Sequence, residues 1–128
     1  MANTTIYNLI QLYNNKYIFI WTQKSSAFWS MQKYNRIGIP FELRNSKKSW
    51  DVFKLLHEIG HMETYEPNQT KAQREFLATQ WAINHSSDNH IRLNSNEKNI
   101  WQEYIYSFTK RKDKSIYKLN WTINEIPF

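Results

Sequence analysis

The pattern of apolar and polar positions changes its period along this chain, and the change separates helical from extended segments. Near the start, apolar residues fall at helical spacing behind Asn3, Thr4 and Thr5, which are residue types that cap helices. This spacing predicts a short helix over residues 4–14.

The following thirty residues are rich in β-branched and aromatic types, which favour strands. They predict three strands, over residues 16–22, 27–34 and 37–44, joined by short turns into an antiparallel meander. Pro40 has no amide hydrogen to donate, so we expect the third strand at an edge of the sheet, unless Pro40 forms a bulge. A free edge there would suit a protein that binds an extended peptide.

The second half of the chain returns to a helical period. Three helices are predicted, over residues 48–63, 70–84 and 95–109, and Ser46 or Ser49 is expected to cap the first of them. The apolar stripe of the last helix consists of Trp101, Tyr104, Ile105 and Phe108.

Polar residues dominate 84–94, which we expect to be a loop. The tail, 117–128, is expected either to add a strand or to lie across the core. No internal repeat or linker interrupts the pattern. The chain is therefore predicted to be a single α+β domain over residues 1–128, in which a small antiparallel sheet packs on helices.

Composition narrows the function. The 128 residues carry 17 Lys and Arg against 11 Asp and Glu, a net charge of +6, and the densest basic run, 110–114, is typical of a solvated turn. We therefore expect no direct contact with nucleic acid. No targeting segment and no membrane span is predicted, which favours the cytoplasm. The chain has no cysteine, so disulfides, thiol catalysis and cysteine-ligated zinc are excluded.

One motif indicates chemistry. The predicted helix 48–63 contains His57-Glu58-Ile59-Gly60-His61, in which the two histidines stand one helical turn apart on the same face, about 6 Å from one another. Two imidazoles so placed can bind one Zn²⁺, while Glu58, rotated by about 100° around the helix, can act as general base on a water. Such polar side chains are costly in an apolar helix face unless a partner satisfies them.

A catalytic zinc site needs a third protein ligand. Glu63 points to the opposite side of the helix and is excluded by geometry. Glu66 lies where the helix ends, so its direction is open, while His85 and His90 lie in the polar loop. Glu75 is the residue we favour, because it lies on the next helix.

The face that carries Glu75 continues with small side chains, at Ala78, Thr79 and Ala82. Small residues allow two helices to pack closely, which would bring the Glu75 carboxylate to the two histidines.

These two segments together resemble a known family. The sequence HEIGH at 57–61 followed by EFLATQWA at 75–82 is similar to the H-E-x-G-H and E-x-x-A-(N/D)-x-F-A pattern of the ImmA/IrrE zinc metallopeptidases, relatives of the gluzincins. The resemblance covers residues 53–83. This chain departs from the pattern at Thr79, where the family has Asn or Asp, and at Trp81, where it has Phe.

The resemblance implies a zincin-like active-site helix, His57, His61 and Glu75 as ligands of Zn²⁺, and Glu58 as general base. It also implies cytoplasmic cleavage of a transcriptional repressor of a mobile element or stress response, with a helix-turn-helix repressor as the protein substrate. At Thr79 the hydrogen bond that supports a zinc-binding histidine is expected to be weaker or to come from another group.

Three functions are therefore compared. The leading hypothesis is a zinc endopeptidase with Glu58 as its base. The first alternative is a zinc-stabilised module that binds a repressor or antitoxin without cutting it. The second is a DNA-associated protease in which His85 or His90 replaces Glu75. Four residues are candidates for a second electrophile, and the sequence does not choose among them: Tyr65, His85, His90 and Tyr104.

Overall fold

The computed structural model of the chain describes residues 4–23, 26–109 and 114–121. Along these residues run α1 Ile6–Tyr13, β1 Ile18–Thr22, β2 Trp29–Met31, β3 Arg36–Pro40, α2 Ser49–Glu63, α3 Lys71–Ser86 and α4 Ser95–Tyr106. They are accompanied by short 3-10 helices at Gln32–Tyr34, Phe41–Leu43, Ser87–Asn89 and Lys114–Tyr117. The predicted α+β class, a small sheet packed on helices, is confirmed.

Three of the helices begin at reciprocal caps that are visible in the sequence. In each, the side chain of the capping residue accepts a hydrogen bond from the backbone amide of the third helical residue. The side chain of that third residue in turn accepts one from the backbone amide of the capping residue. The pairs are Thr5 with Asn8, Thr70 with Gln73 and Asn94 with Glu97. Such a cap satisfies two amide groups that the first turn leaves unpaired. These caps explain why α1, α3 and α4 begin close to the predicted positions.

The start of α2 differs from the prediction. Neither Ser46 nor Ser49 is the N-cap, because the helix begins after Lys48, which has no capping side-chain bond. Ser46 supports the first turn from outside the helix instead, since its hydroxyl accepts from the Lys48 amide at 3.2 Å and donates to Asp51 Oδ2 at 2.7 Å.

The sheet is mixed, with the strand order β1-β3-β2. Strand β3 runs parallel to β1, with Ile18 opposite Arg36, and antiparallel to β2, with Trp29 opposite Gly38. The predicted antiparallel meander is therefore wrong, because the third strand inserts between the first two.

Burial explains this order. All four residues from Ile37 to Pro40 are buried, whereas β1 and β2 contain no buried residue. A strand without a polar face belongs in the middle of a sheet. The Trp29 ring packs directly against Gly38. This contact is possible only because glycine has no side chain, since a Cβ there would lie 2.0 Å from the ring. The expected edge position of the Pro40 strand is thus also wrong, and Pro40 is its last residue.

The helical prediction needs smaller corrections. Helix α3 continues to Ser86 and a 3-10 turn follows it, so the predicted loop is shorter than 84–94, and α4 ends at Tyr106. Of the predicted stripe of α4, Trp101 and Ile105 are buried while Tyr104 is 40% exposed.

The described part of the tail lies across the core. Leu119 is buried, and the Trp121 ring packs 6.0 Å from the ring of Phe53. Residues 122–128 and most of the basic run, 110–113, lie outside the described residues. Among the helices of the described ranges, none combines the length and apolar character that crossing a bilayer needs.

Candidate metal centre

Helix α2 presents two histidines side by side at the core. The rings of His57 and His61 lie 4.6 Å apart, nearly perpendicular at 83°, and the two residues share one face of the helix because they stand about one turn apart. His57 is 3% exposed, and His61 is partly buried.

Helix α3 brings a carboxylate to this pair. Glu75 Oε1 lies 3.4 Å from His57 Nε2, and Glu75 Oε2 lies 2.9 Å from His61 Nε2. One atom from each of these three residues lies within 4.8 Å of the other two, so the group could hold a metal ion. The three ligands expected from the sequence are thus brought together in space.

Gly60 permits this meeting of two helices. A Cβ at Gly60 would lie 2.4 Å from the backbone oxygen of Ala78, a distance that real side chains do not adopt. The small residues Ala78, Thr79 and Ala82 are buried on the facing side of α3. The expected close packing of α2 against α3 therefore depends on glycine on one helix and small residues on the other.

Replacing Gly60 by Ala is expected to destabilise the protein by about 1–3 kcal/mol, the usual cost of overpacking a tight contact. A loss of stability would be informative, because replacing Gly by Ala inside a helix otherwise stabilises a protein by about 1 kcal/mol. Urea unfolding measures the change, with Gln11→Ala on the exposed side of α1 as the control. A stable Gly60→Ala variant with unchanged metal affinity would contradict this role of the helix contact.

Thr79 determines which nitrogen of His57 faces the group. Its hydroxyl donates to the Glu75 carbonyl oxygen at 2.8 Å and lies 2.9 Å from His57 Nδ1. A hydroxyl has one proton, so Nδ1–H of His57 is the donor in the second contact. Thr79 therefore makes the histidine contact at the position where the resembled family has Asn or Asp.

The proton on His57 Nδ1 bears on whether the group of His57, His61 and Glu75 can hold a cation. In neutral His57 with its proton on Nδ1, the Nε2 lone pair faces the Glu75 carboxylate, and two electron-rich atoms so placed are stable only with a cation between them. A proton or a metal ion satisfies this need. Two imidazoles and one carboxylate are also a usual donor set of catalytic zinc sites, so the residues fit a metal.

The field around Glu75 favours its charged form. Burial alone would raise the pKa of its carboxyl, but hydrogen bonds with His57, His61 and Tyr104 and the charge of His61 outweigh burial and hold the pKa well below its usual range. Glu75 is therefore a carboxylate at neutral pH, which is the form that binds metals.

Aromatic rings close the buried side of the centre. The Trp101 ring packs 4.9 Å from that of His57 and 5.1 Å from that of Phe53, and its indole N–H is a buried donor without a hydrogen-bond partner among the described residues. Such a wall lowers the local dielectric constant, which strengthens the electrostatic interactions of the group.

Comparisons with protein-family models, with curated proteins and with solved structures find no match to this chain. The arrangement of side chains therefore carries the functional argument that follows.

Glu58 stands outside the metal-binding group, next to it on α2. Its Oε1 accepts a 2.8 Å hydrogen bond from Ser30 Oγ of β2. The sequence did not indicate Ser30, since the contact joins residues 28 positions apart. The strand thus holds one oxygen of Glu58, and in the part of the chain that the structure describes the other oxygen has no hydrogen-bond partner.

Tyr104 is the one of the four candidate electrophiles that reaches the group. Its hydroxyl donates to Glu75 Oε1 at 2.6 Å. His85 instead stacks on Trp81 and its Nδ1 lies 2.8 Å from the Trp81 carbonyl oxygen, while Tyr65 and His90 are exposed. None of these three residues belongs to the ligand group of the described residues.

The remaining acidic candidates lie elsewhere. Glu63 accepts hydrogen bonds from Tyr17 Oη at 2.5 Å and from Lys16 Nζ at 3.0 Å, so it points away from the histidines as expected. Glu66 is exposed beyond the end of α2, in the turn where its amide donates to Gln69 Oε1. With His85 and His90 also absent from the described ligand group, a protease that uses a histidine as third ligand is not supported.

Proposed function

We propose that this protein is a zinc-dependent endopeptidase that hydrolyses a peptide bond of a protein substrate. The observation that carries the proposal is that one acidic side chain belongs to the metal-binding group while a second lies beside it. Glu75 completes a group with His57 and His61, while Glu58, next to that group, is hydrogen-bonded among the described residues only by Ser30 and is not needed to hold a metal. A purely structural site needs no such spare carboxylate.

The chemistry follows from these positions. A Zn²⁺ bound by the three ligands would lower the pKa of a water towards about 7 and polarise the scissile carbonyl. Glu58 takes the proton of the attacking water and returns it to the nitrogen of the leaving amine. The C–N bond breaks, and an acid and an amine are released. Ser30 keeps Glu58 oriented between these two proton transfers.

The substrate strand is expected at β2 instead of β3. Because β3 is the central strand, its two edges are taken by β1 and β2, and the expected binding edge at 37–44 is excluded. Among the strands of the described residues β2 lies at an edge of the sheet, and its Ser30 contacts Glu58. We therefore propose that an extended segment of the substrate pairs with the outer edge of Trp29–Met31, which brings its backbone beside the base.

The substrate proposal rests on the resemblance over residues 53–83. It favours a helix-turn-helix transcriptional repressor, encoded near the gene of this chain and cleaved in the cytoplasm. No contact with nucleic acid or membrane is part of the proposal.

The alternative is a module that binds the repressor without cutting it. It is favoured by one observation, that the ligands join α2 and α3, which contact one another extensively, so that a metal there would also stabilise the fold. The argument against it is the Glu58 carboxylate, which lies beside the group without belonging to it.

A cleavage assay tests the proposal directly. Purified protein loaded with zinc is incubated with each repressor encoded beside its gene, and mass spectrometry follows the repressor. We expect two complementary fragments that disappear when a chelator is added. If a repressor binds and releases its DNA with its chain intact, the binding module is the correct function.

A further inference from the structure

A hydroxyl from a third helix contacts the carboxylate of the centre. Tyr104 lies on α4, outside the segment 53–83 that resembles the peptidase family, and its Oη lies 2.6 Å from Glu75 Oε1. The contact spans 29 positions of sequence and ties α4 to α3 at the centre.

The three contacts that the Glu75 carboxylate makes with described residues would respond differently to a bound metal. The contacts with His57 and His61 involve Nε2 atoms, which are the atoms that these residues would give to the metal. A ligand nitrogen cannot also donate a hydrogen bond, so both contacts end when a metal binds. The Tyr104 hydroxyl is not one of the ligand atoms of this group, and a carboxylate has enough lone pairs to bind a metal and still accept its hydrogen bond.

We propose that Tyr104 is a positioning residue of the metal centre, which holds the Glu75 carboxylate in the orientation that binds the metal. The inference rests on the metal site of the proposed function, but it does not depend on peptide cleavage. A side chain that orients a ligand carboxylate by a hydrogen bond contributes to affinity because it reduces the freedom that the ligand loses on binding.

The phenol is the donor in this contact, because a carboxylate oxygen can only accept a hydrogen bond. The ring itself is fixed by edge-on contacts, 5.6 Å from Trp101 and 5.0 Å from Phe108.

The test is Tyr104→Phe, which keeps the ring contacts and removes the donor. We expect zinc affinity, measured by competition with a fluorescent chelator at neutral pH, to fall by about 10- to 100-fold, the usual effect of losing a partner of a metal ligand. The matched control is Tyr17→Phe, which removes another phenol-to-carboxylate hydrogen bond, the one to Glu63, away from the centre. The control should lose stability but keep its zinc affinity.

A double-mutant cycle separates positioning from a general effect on folding. If Tyr104 acts through Glu75, then Tyr104→Phe should change zinc affinity much less in a Glu75→Ala protein than in the wild type. Equal losses in both backgrounds, or an unchanged affinity in the single variant, would overturn the proposal. This holds even if Tyr104→Phe is less stable, because both affinities are measured on folded protein.

The results also separate this inference from the proposed function. A wild type that binds no zinc overturns both. If zinc binds and Tyr104→Phe weakens it while no repressor is cut, the positioning role stands and the peptidase proposal falls. If a repressor is cut and Tyr104→Phe binds zinc as the wild type does, the peptidase stands without this role.

Discussion

Replacing Glu58 by Gln is expected to lower the rate of repressor cleavage by a factor of about 10² to 10⁴, the usual contribution of a positioned general base. The amide has the size of the carboxylate and its oxygen can still accept the hydrogen bond from Ser30, but it cannot take a proton from water. Because Glu58 is not a ligand of the centre, zinc content and the denaturation midpoint should stay near the wild-type values.

The matched control is Glu103→Gln, which removes an exposed carboxylate on α4 and should leave the rate unchanged. Fragment formation is followed by mass spectrometry under single-turnover conditions, with zinc measured on the same samples. A Glu58→Gln protein that relieves DNA binding as well as the wild type, with no fragment from either protein, would show that the endopeptidase proposal is wrong.

Replacing Glu75 by Ala is expected to weaken zinc binding by more than about 100-fold, beyond the loss that follows removal of a partner of a ligand. The change deletes the carboxylate that lies against both histidines, leaving two protein ligands where a catalytic zinc site has three. The wild type should bind one zinc per chain and melt at a higher temperature with the metal than without it, because the metal binds the folded state.

Glu66→Ala is the control for this variant, since Glu66 is an exposed carboxylate in the turn that follows α2. It should bind zinc like the wild type, as measured by chelator competition. The opposite ranking of the two variants would place the third ligand after α2 and would remove the support that Glu75 gives to the family resemblance.

Two features of the metal centre could be predicted from the sequence: the shared face of its histidines, which is set within one helix, and the close helix contact, which depends on small residues. The spacing of His57 and His61 fixes their common face, and the small residues after Glu75 indicate a close helix contact. The structure adds that Gly60 faces the Ala78 backbone, so the two segments of the motif are packed against one another. These relations follow from helical periodicity, which a sequence displays directly.

The order of the strands and the supporting contacts were not predictable in the same way. A pattern of residue types identifies a strand but not its neighbour in the sheet, and Pro40 indicated an edge for a strand that is in fact central. Ser30 and Tyr104 reach Glu58 and Glu75 across 28 and 29 positions. Such contacts depend on how whole helices and strands pack, so the position of a serine or a tyrosine in the sequence does not predict them.

The position of β3 between the two earlier strands has a consequence for folding. Neither β1 nor β2 has a partner in the sheet until residues 36–40 have been synthesised, and Ile18 must wait for Arg36, 18 residues later, to close the parallel pair. Closing such a non-local contact costs chain entropy before it gains pairing energy. Ser30 meets Glu58 only when α2 has also docked on the sheet, so the base is oriented only after both β2 and α2 are in place.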